Sequence, residues 1–504
     1  MDIPVKCKQC YSNPQFSQEL GYPINPRMTQ TLGLYPFFNS VDQVEVKKTV
    51  PGRDGRHREK RNLIWWLHLL IIVLLLATGC REQGGTVVNR VILIGLDGLE
   101  WRVVEPLVAN GTMPNLARFL ERGASGRLLT LLPTLSPSIW ATVATGKLPD
   151  EHGIEGFVRR VAYTSTRVPY TSNTRRVKAL WNMLSERVTG RTPLRVAIVG
   201  WWTTWPAEPV NGVMISDRMM YSRFNPWLGL PRYGEELPEQ TYPPALFSHL
   251  ADLAEVRAEE LEAEFLARFI PGEAGSVLSQ EDHRIHDPRY ELALAYNRDE
   301  GYRKMVERVL AEETFDFVAY YINGIDIASH YFWKYRFPKE WPDGVAPVDV
   351  RKYGEVIARY YAYVDESIGP LLDQASEHCL VMVVSDHGFV TGRRDDTPNV
   401  SGIHYNVAPP GVIAMAGGSV EAGARVKEAT VLDIAPTVLH LLGRPVPRDM
   451  KGRVLPPVMK SGRRPVEYID TYERASQSPE SRDPKASRAD EKMLETLKSL
   501  GYIK

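Results

Sequence analysis

The feature that most constrains the fold is a set of short apolar runs that do not alternate with polar residues. They read VILIGL (91–96), LRVAIVGW (194–201), FDFVAYYI (315–322) and CLVMVVS (379–385), with VIAMA (412–416) as a further, shorter candidate. A strand with one wet face alternates; a strand without alternation is covered on both faces, as in a parallel sheet packed between helices. Helical patterns lie between the runs. Residues 113–122 open on Met113-Pro114-Asn115, 298–312 read RDEGYRKMVERVLAE, 350–374 are amphipathic and 431–442 carry VLDIAPTVLHLL. Strands alternating with helices predict an α/β sandwich, a mostly parallel central sheet flanked by helices.

The catalytic domain expected from this pattern spans residues 86–455. Residues 205–295 interrupt it with Pro, Tyr and Trp, followed by a charged helical stretch at 254–269, and are read as an insertion or cap over the site. Residues 456–504 are read as a disordered tail, because Ser, Arg, Glu, Asp and Pro around 461–490 bury little apolar surface. A short helix, EKMLETLKSLGYI (491–503), closes it.

The first 80 residues read differently. RDGRHREKR (53–61) is a dense, mostly positive run; an apolar stretch from Leu63 to Ala77 follows, and then Ala77-Thr78-Gly79-Cys80. Basic, apolar and small-residue regions in that order make an export signal. Small residues directly before a cysteine resemble the bacterial lipoprotein signal, in which Cys80 is lipidated. An uncleaved anchor is the alternative, and Trp65 and Trp66 would suit it. Either way residues after 80 are expected outside the cytoplasm, at the periplasm or cell surface, tethered to a membrane. Residues 1–52 show no period and are read as a disordered or mis-assigned extension.

Composition excludes some functions. Lys and Arg together number 61, as do Asp and Glu, so net charge is zero and no bulk attraction to nucleic acid is expected. The four cysteines, Cys7, Cys10, Cys80 and Cys379, are too few for a disulfide framework. Cys7 and Cys10 have the spacing of half a zinc site, without a second pair. No Gly-x-Ser-x-Gly elbow is present, which argues against a serine-hydrolase triad.

The chemistry is concentrated at strand ends. In parallel α/β sheets ligands bind beyond the carboxyl ends of the strands. The run 91–96 leads into Asp97-Gly98. The run 315–322 leads into Asn323-Gly324-Ile325-Asp326, with His330 one helical turn further on, and 379–385 leads into Asp386-His387-Gly388. Carboxylates with neutral imidazoles suit zinc and other first-row divalent ions. Each piece alone has a plainer reading. Asp97 would cap a helix, Asp326 and His330 would be a surface pair, Asp386 and His387 a polar turn, and His404 an exposed loop histidine. Their order and common placement favour the metal reading. Ser136-Pro137, before an apolar run, reads as a helix start with Ser136 as N-cap. A hydroxyl there would also stand where a helix N-terminus favours a phosphate, and a nearby divalent ion would make it a nucleophile.

Together these residues resemble the alkaline phosphatase superfamily, in its type I phosphodiesterase/nucleotide pyrophosphatase branch, over about residues 88–445. The resemblance is carried by Leu-Asp-Gly-Leu (96–99), Met-Pro-Asn-Leu (113–116), Pro-Thr-Leu-Ser-Pro (133–137), Ala-Thr-Gly (144–146) and Pro-Asp-Glu-His-Gly-Ile (149–154). Asp326 with His330, Ser-Asp-His-Gly (385–388), His404 and Asp-Ile-Ala-Pro-Thr (433–437) complete it. It implies that Asp326, His330 and His404 hold one divalent ion. Asp97, Asp386 and His387 would hold a second, with Ser136 bound to it. Zinc is the expected metal and manganese the alternative. It further implies hydrolysis of phosphate esters, diesters first, by in-line attack of Ser136 on phosphorus and release of the phospho-serine by water. The substrate would be a small phosphorylated molecule such as a nucleotide or lipid head group.

The chain departs from that branch in two places. Phe157 stands where the nucleotide pyrophosphatases usually carry an asparagine that contacts the phosphoryl group, which weakens the case for a nucleotide substrate. Ser136 replaces the branch's common threonine. The sulfatase motif of the superfamily would need other residues at Ser138 and Trp140. A phosphotransferase or phosphomonoesterase of the same fold remains an alternative, and a non-catalytic envelope protein a weaker one. Gly-Trp-Trp-Thr-Thr-Trp-Pro (200–206) would form either an aromatic wall or packing. The pairs Arg159–Arg160 and Arg393–Arg394 would meet an anionic substrate or lie in solvent. His152 is expected to pack a turn.

Overall fold

The structure, a computed structural model, describes residues 88–503 apart from 161–165, 221–236, 255–257, 274–286, 394–396, 419, 456–464 and 474–488. The chain divides into two units, Met1–Cys80 and Arg81–Lys504, and every described residue belongs to the second. The extension and the export segment therefore lie outside the described residues, as does most of the expected disordered stretch. Among the described residues no helix is long and apolar enough to cross a membrane.

The architecture is the expected α/β sandwich. Nine strands form one sheet: β1 (Arg90–Leu96), β2 (Ala124–Leu129), β3 (Val196–Val199), β4 (Gly212–Ile215), β5 (Thr241–Tyr242), β6 (Phe317–Ile322), β7 (Cys379–Val384), β8 (Gly411–Ala416) and β9 (Arg425–Thr430). Their order is β9-β2-β8-β7-β1-β6-β3-β4-β5. The five central strands, β7 to β4 in that order, all run parallel. β8 runs antiparallel to both β7 and β2, and β5 antiparallel to β4. Successive side chains of β1 point to opposite faces: Ile92 and Ile94 enter one core, Val91 and Leu93 the other. Both cores are closed by helices, which is why the central strands carry no polar face.

The site is set by three adjacent strands. β7, β1 and β6 are neighbours, and their register pairs Leu96 with Ile322 and Gly95 with Val384. Asp97, Asn323 and Asp386 thus stand at one level just past the strand ends, and the acidic residues converge there.

The helices that matter are α1 (Trp101–Ala109), α2 (Pro114–Glu121), α3 (Ser136–Thr145), α4 (Pro288–Glu312), α5 (Gly324–Arg336), α6 (Val356–Leu372), α7 (Ile434–Leu441) and α8 (Ala489–Ser499). All ten residues of α3 are buried, as expected for a helix without a polar face. Its start corrects one expectation. Leu135, in extended conformation, is the N-cap, and Ser136 is already the first helical residue. The Ser136 hydroxyl therefore does not cap its own helix and is left for other partners. Inside the stretch 205–295, β4 and β5 join the sheet edge and α4 begins at Pro288, capped by the Asp287 carboxylate. β4 and β5 are only four and two residues long, too short to show a period among prolines and aromatics.

Candidate active site

Asp97 follows β1 and is buried. One of its oxygens, Oδ2, accepts hydrogen bonds from Trp140 Nε1 at 3.1 Å and from the Tyr321 hydroxyl. The other, Oδ1, lies 3.4 Å from Ser136 Oγ and 3.3 Å from His387 Nε2. The Tyr321 hydroxyl in turn accepts from Trp202 Nε1 at 2.6 Å. A relay from Trp202 through Tyr321 thus fixes one face of Asp97 and turns the other toward serine and histidine.

The turn after β7 is tied to the turn after β1. Gly98 N–H donates to Asp386 Oδ1 at 3.2 Å. Glu100, which caps α1, accepts from the Phe389 amide at 3.1 Å. Two glycines make this approach possible. Gly98 sits at φ +70°, and a Cβ on Gly388 would stand 1.6 Å from Glu100 Oε2. His387 Nε2 then lies 3.4 Å from Asp386 Oδ2 and 3.8 Å from Asp326 Oδ1.

Asp326 is in the first turn of α5 and His330 one turn later, on the same face. Asp326 Oδ1 is 3.5 Å from His330 Nε2 and 3.8 Å from His404 Nε2. The two Nε2 atoms are 3.2 Å apart. His330 Nδ1 meets the Gly402 carbonyl at 2.9 Å; a carbonyl only accepts, so Nδ1 carries the proton and Nε2 presents a lone pair inward. The His404 ring stacks on His387 at 3.7 Å.

Sequence reading nominated Asp97, Ser136, Asp326, His330, Asp386, His387 and His404, and the structure gathers all seven. Two groups place their ligand atoms within 4.8 Å of one another: Asp326, His387 and His404, and Asp97, Asp386 and His387. The partition differs from the one the resemblance implies, since His387 lies between the two. Asp326 Oδ1, Asp386 Oδ2 and His387 Nε2 are buried without a hydrogen-bond partner among the described residues. Buried polar atoms of this kind call for a missing partner, and carboxylates with inward-facing imidazole nitrogens fit a divalent cation.

Electrostatics agree. Burial raises the Asp326 and Asp386 carboxyls well above the usual range, and the neighbouring Asp97 charge raises both further. Burial also pushes Asp97 upward, but the neighbouring His387 imidazole, with hydrogen bonds from Tyr321 and Trp140, outweighs it and holds this carboxyl low. Burial and the Asp97 charge keep Tyr321 protonated as a donor.

Residue searches by type missed several groups. Trp140 and Tyr321 lie on buried faces of α3 and β6, where nothing in the sequence separates them from core aromatics. Tyr502 was read only as part of a short helix, yet its hydroxyl is 2.8 Å from His330 Nε2 and contacts His404 Nε2. A cavity of about 680 Å³ adjoins this half of the site, lined by Phe157, Arg167, His330, His404, Tyr405 and Tyr502 among others. Of the described arginines it is Arg167 that lines it, not Arg159 or Arg160. Arg393 pairs with Asp343 at the surface, and Arg394 lies outside the described residues. From the aromatic segment, Trp201 packs edge-on to Trp140 at 5.1 Å and Trp202 meets Phe157 at 5.8 Å. His152 ends the one-turn helix Pro149–His152 that follows α3, within 3.1 Å of Thr142 Oγ1.

Comparison with family models places residues 91–433 in type I phosphodiesterase/nucleotide pyrophosphatase. The chain belongs to that family. As a member it is a phosphoric ester hydrolase, and the family acts on small phosphorylated substrates such as nucleotides. No curated protein sequence matches it. Among solved structures, the chain is similar to wild-type alkaline phosphatase PafA, with TM-score 0.45 and 11% identity over 73% of this chain and 98% of that one. It is similar to the phosphonate monoester hydrolase SpPMH of Silicibacter pomeroyi, with TM-score 0.42 and 16% identity over 72% and 75%. It is also similar to murine ectonucleotide pyrophosphatase/phosphodiesterase 5, with TM-score 0.39 and 12% identity over 71% and 96%.

Proposed function

We propose that this family member hydrolyses phosphodiesters through a covalent phospho-serine on Ser136, with two divalent ions, zinc first and manganese as the alternative. The single observation that carries the reading is the Ser136 hydroxyl. It stands on the first residue of α3, free of capping duty, 3.4 Å from Oδ1 of Asp97, a carboxylate that groups with Asp386 and His387 as candidate metal ligands. Asp326, His330 and His404 would hold one ion, and Asp97, Asp386 and His387 the other. Ions so held supply charge stabilisation for the phosphoryl oxygens and lower the pKa of a nearby hydroxyl.

The chain's own residues do the rest. The N-terminus of α3 directs its free N–H and positive dipole end at the bound phosphate. Ser136 Oγ attacks phosphorus in line; the P–O bond to the leaving alcohol breaks, and a water later cleaves the phospho-serine to restore the hydroxyl. Tyr321 and Trp140 hold Asp97 Oδ2, so that Oδ1 keeps its orientation throughout. The Gly402 carbonyl does the same for His330.

The test is hydrolysis of an aryl phosphodiester and an aryl phosphomonoester by the purified chain, with zinc or manganese, beside Ser136→Ala. Metal-dependent diester turnover that falls at least about 10³-fold in Ser136→Ala is expected. Faster monoester turnover would make it a phosphomonoesterase. Turnover only with an added alcohol acceptor would make it a phosphotransferase. Turnover untouched by Ser136→Ala would sink the covalent route.

We also propose that residues 53–80 export the enzyme and tether it at Cys80, on the strength of the basic run, the apolar stretch and Ala77-Thr78-Gly79 before the cysteine. Labelled fatty acid should enter the wild-type chain and not Cys80→Ala. Membrane retention of an unlabelled, full-length chain would instead indicate an uncleaved anchor.

A further inference from the structure

The segment after residue 488 reaches into the site, and its sequence explains how. α8 is held by the buried Arg218–Asp490 pair and by the Tyr331 hydroxyl, 2.9 Å from Ser499 Oγ. Met493 and Leu497 pack with Phe157, and Leu500 enters the main core. The helix then stops. Gly501, at φ +76°, donates to the Lys498 carbonyl at 2.9 Å, and the Tyr502 amide donates to the Leu497 carbonyl at 2.9 Å. This pair of bonds around a left-handed glycine is a Schellman stop. It throws Tyr502 off the helix and onto Phe157, with ring centroids 4.3 Å apart.

The hydroxyl of Tyr502 ends where two ligand nitrogens converge. It is 2.8 Å from His330 Nε2 and touches His404 Nε2, and those nitrogens are 3.2 Å from each other. Asp326 Oδ1 lies 3.5 Å and 3.8 Å from the same two atoms. Atoms that share a tetrahedral zinc at its usual bond lengths stand about 3.3 Å apart. The carboxylate and the two imidazoles stand within about half an ångström of that spacing, and the phenol oxygen must draw back from both nitrogens to match it.

We propose that the Tyr502 phenol oxygen is a further ligand of the ion at Asp326, His330 and His404, an inference that rests on the two-metal reading above. A carboxylate, two imidazoles and a phenol oxygen give that ion four protein ligands, the number that closes a tetrahedral zinc site. The residues that would hold the other ion, Asp97, Asp386 and His387, include the carboxylate that faces the Ser136 hydroxyl at 3.4 Å. A phosphate ester bound there would meet the Tyr502 phenol at the mouth of the His330 and His404 pair.

The test uses the full chain loaded with cobalt(II) alone, compared with Tyr502→Phe, which keeps the ring that stacks on Phe157. Two quantities are read: the visible cobalt spectrum, and the affinity of each site by competition with a chelator. Hydrogen exchange at 489–499 checks that α8 stays docked. The variant should hold one of its two ions about tenfold more weakly and show an altered spectrum, and the weakened site should be the one that Asp326→Asn empties. Two ions bound with unchanged affinity and spectrum would overturn the proposal, as would weakening confined to the other site. A wild-type chain that binds no cobalt would overturn the two-metal reading itself, and this inference with it.

Discussion

His152 shows how a residue with catalytic credentials serves packing instead. Its Nδ1 accepts the Ile154 amide at 3.1 Å, so the proton is on Nε2, which faces Thr142 Oγ1. A second proton would have to point at an N–H. Burial, then the charge of Arg175, lowers its pKa from 6.5 to about 3. A histidine with a depressed folded pKa is taken up by protons more readily in the unfolded chain. Its contribution is intact above pH 6.5 and is lost progressively as pH falls toward 3. Between pH 7 and pH 5 the loss is about 2 kcal/mol. Urea unfolding midpoints at the two pH values should therefore lie closer together in His152→Gln than in the wild type; an unchanged gap would assign the acid sensitivity elsewhere. Ser136 is the contrary case. One step in helix position, from cap to first residue, decides whether its hydroxyl is spent on the backbone or is available to Asp97.

Among the elements, α8 is tied to the rest of the fold by a buried ion pair, Arg218 with Asp490. The side chains of Arg218 and Asp490 are 1% and 10% exposed, so each charge relies on the other far more than a surface pair would. Arg218→Ala should weaken docking of α8 by about 3–5 kcal/mol, the usual cost of stripping one partner from a buried pair. Faster hydrogen exchange across 489–499, with exchange in β1 and β7 unchanged, would show it. Replacing both partners with apolar residues should restore much of the protection. Equal loss of protection in the sheet would mean that the pair supports the whole fold rather than one helix.

At one end of the sheet the buried carboxylates Asp97, Asp326 and Asp386 face one another across the site. Without cations their mutual repulsion and desolvation oppose folding. Zinc that binds only the folded chain should stabilise it by about 2.7 kcal/mol per site at a hundredfold excess over Kd. Scanning calorimetry with zinc, with chelator, and on Asp326→Asn checks this: the variant should lose part of the zinc-dependent rise in Tm. A Tm indifferent to zinc would argue that these carboxyls are accommodated in neutral form.

Much of this was legible in the residues themselves. Strands buried on both faces must be apolar throughout, so β1, β6 and β7 announce themselves, and the polar residues just beyond them stand out against that background. Asp97, Asp326, His330, Asp386 and His387 could be picked for that reason; Ser136 was legible as a helix start before an apolar run, and His404 only through the family resemblance. β2 and β9 left no such trace, because alternation at a sheet margin is interrupted by glycine and charge; in β9, Arg425, Lys427 and Glu428 face solvent while Val426 and Ala429 are buried. Nor did sequence show that Trp140 and Tyr321 grip Asp97, since an aromatic with one polar atom on a buried face reads as core. Tyr502 lies 98 residues beyond His404, past a stretch that shows no period. Local periodicity reports which faces are buried, and so it determined the sheet and its reactive edge. Contacts between residues far apart in the chain leave no periodic signature, so only the tertiary structure decided what surrounds each carboxylate and what closes the site.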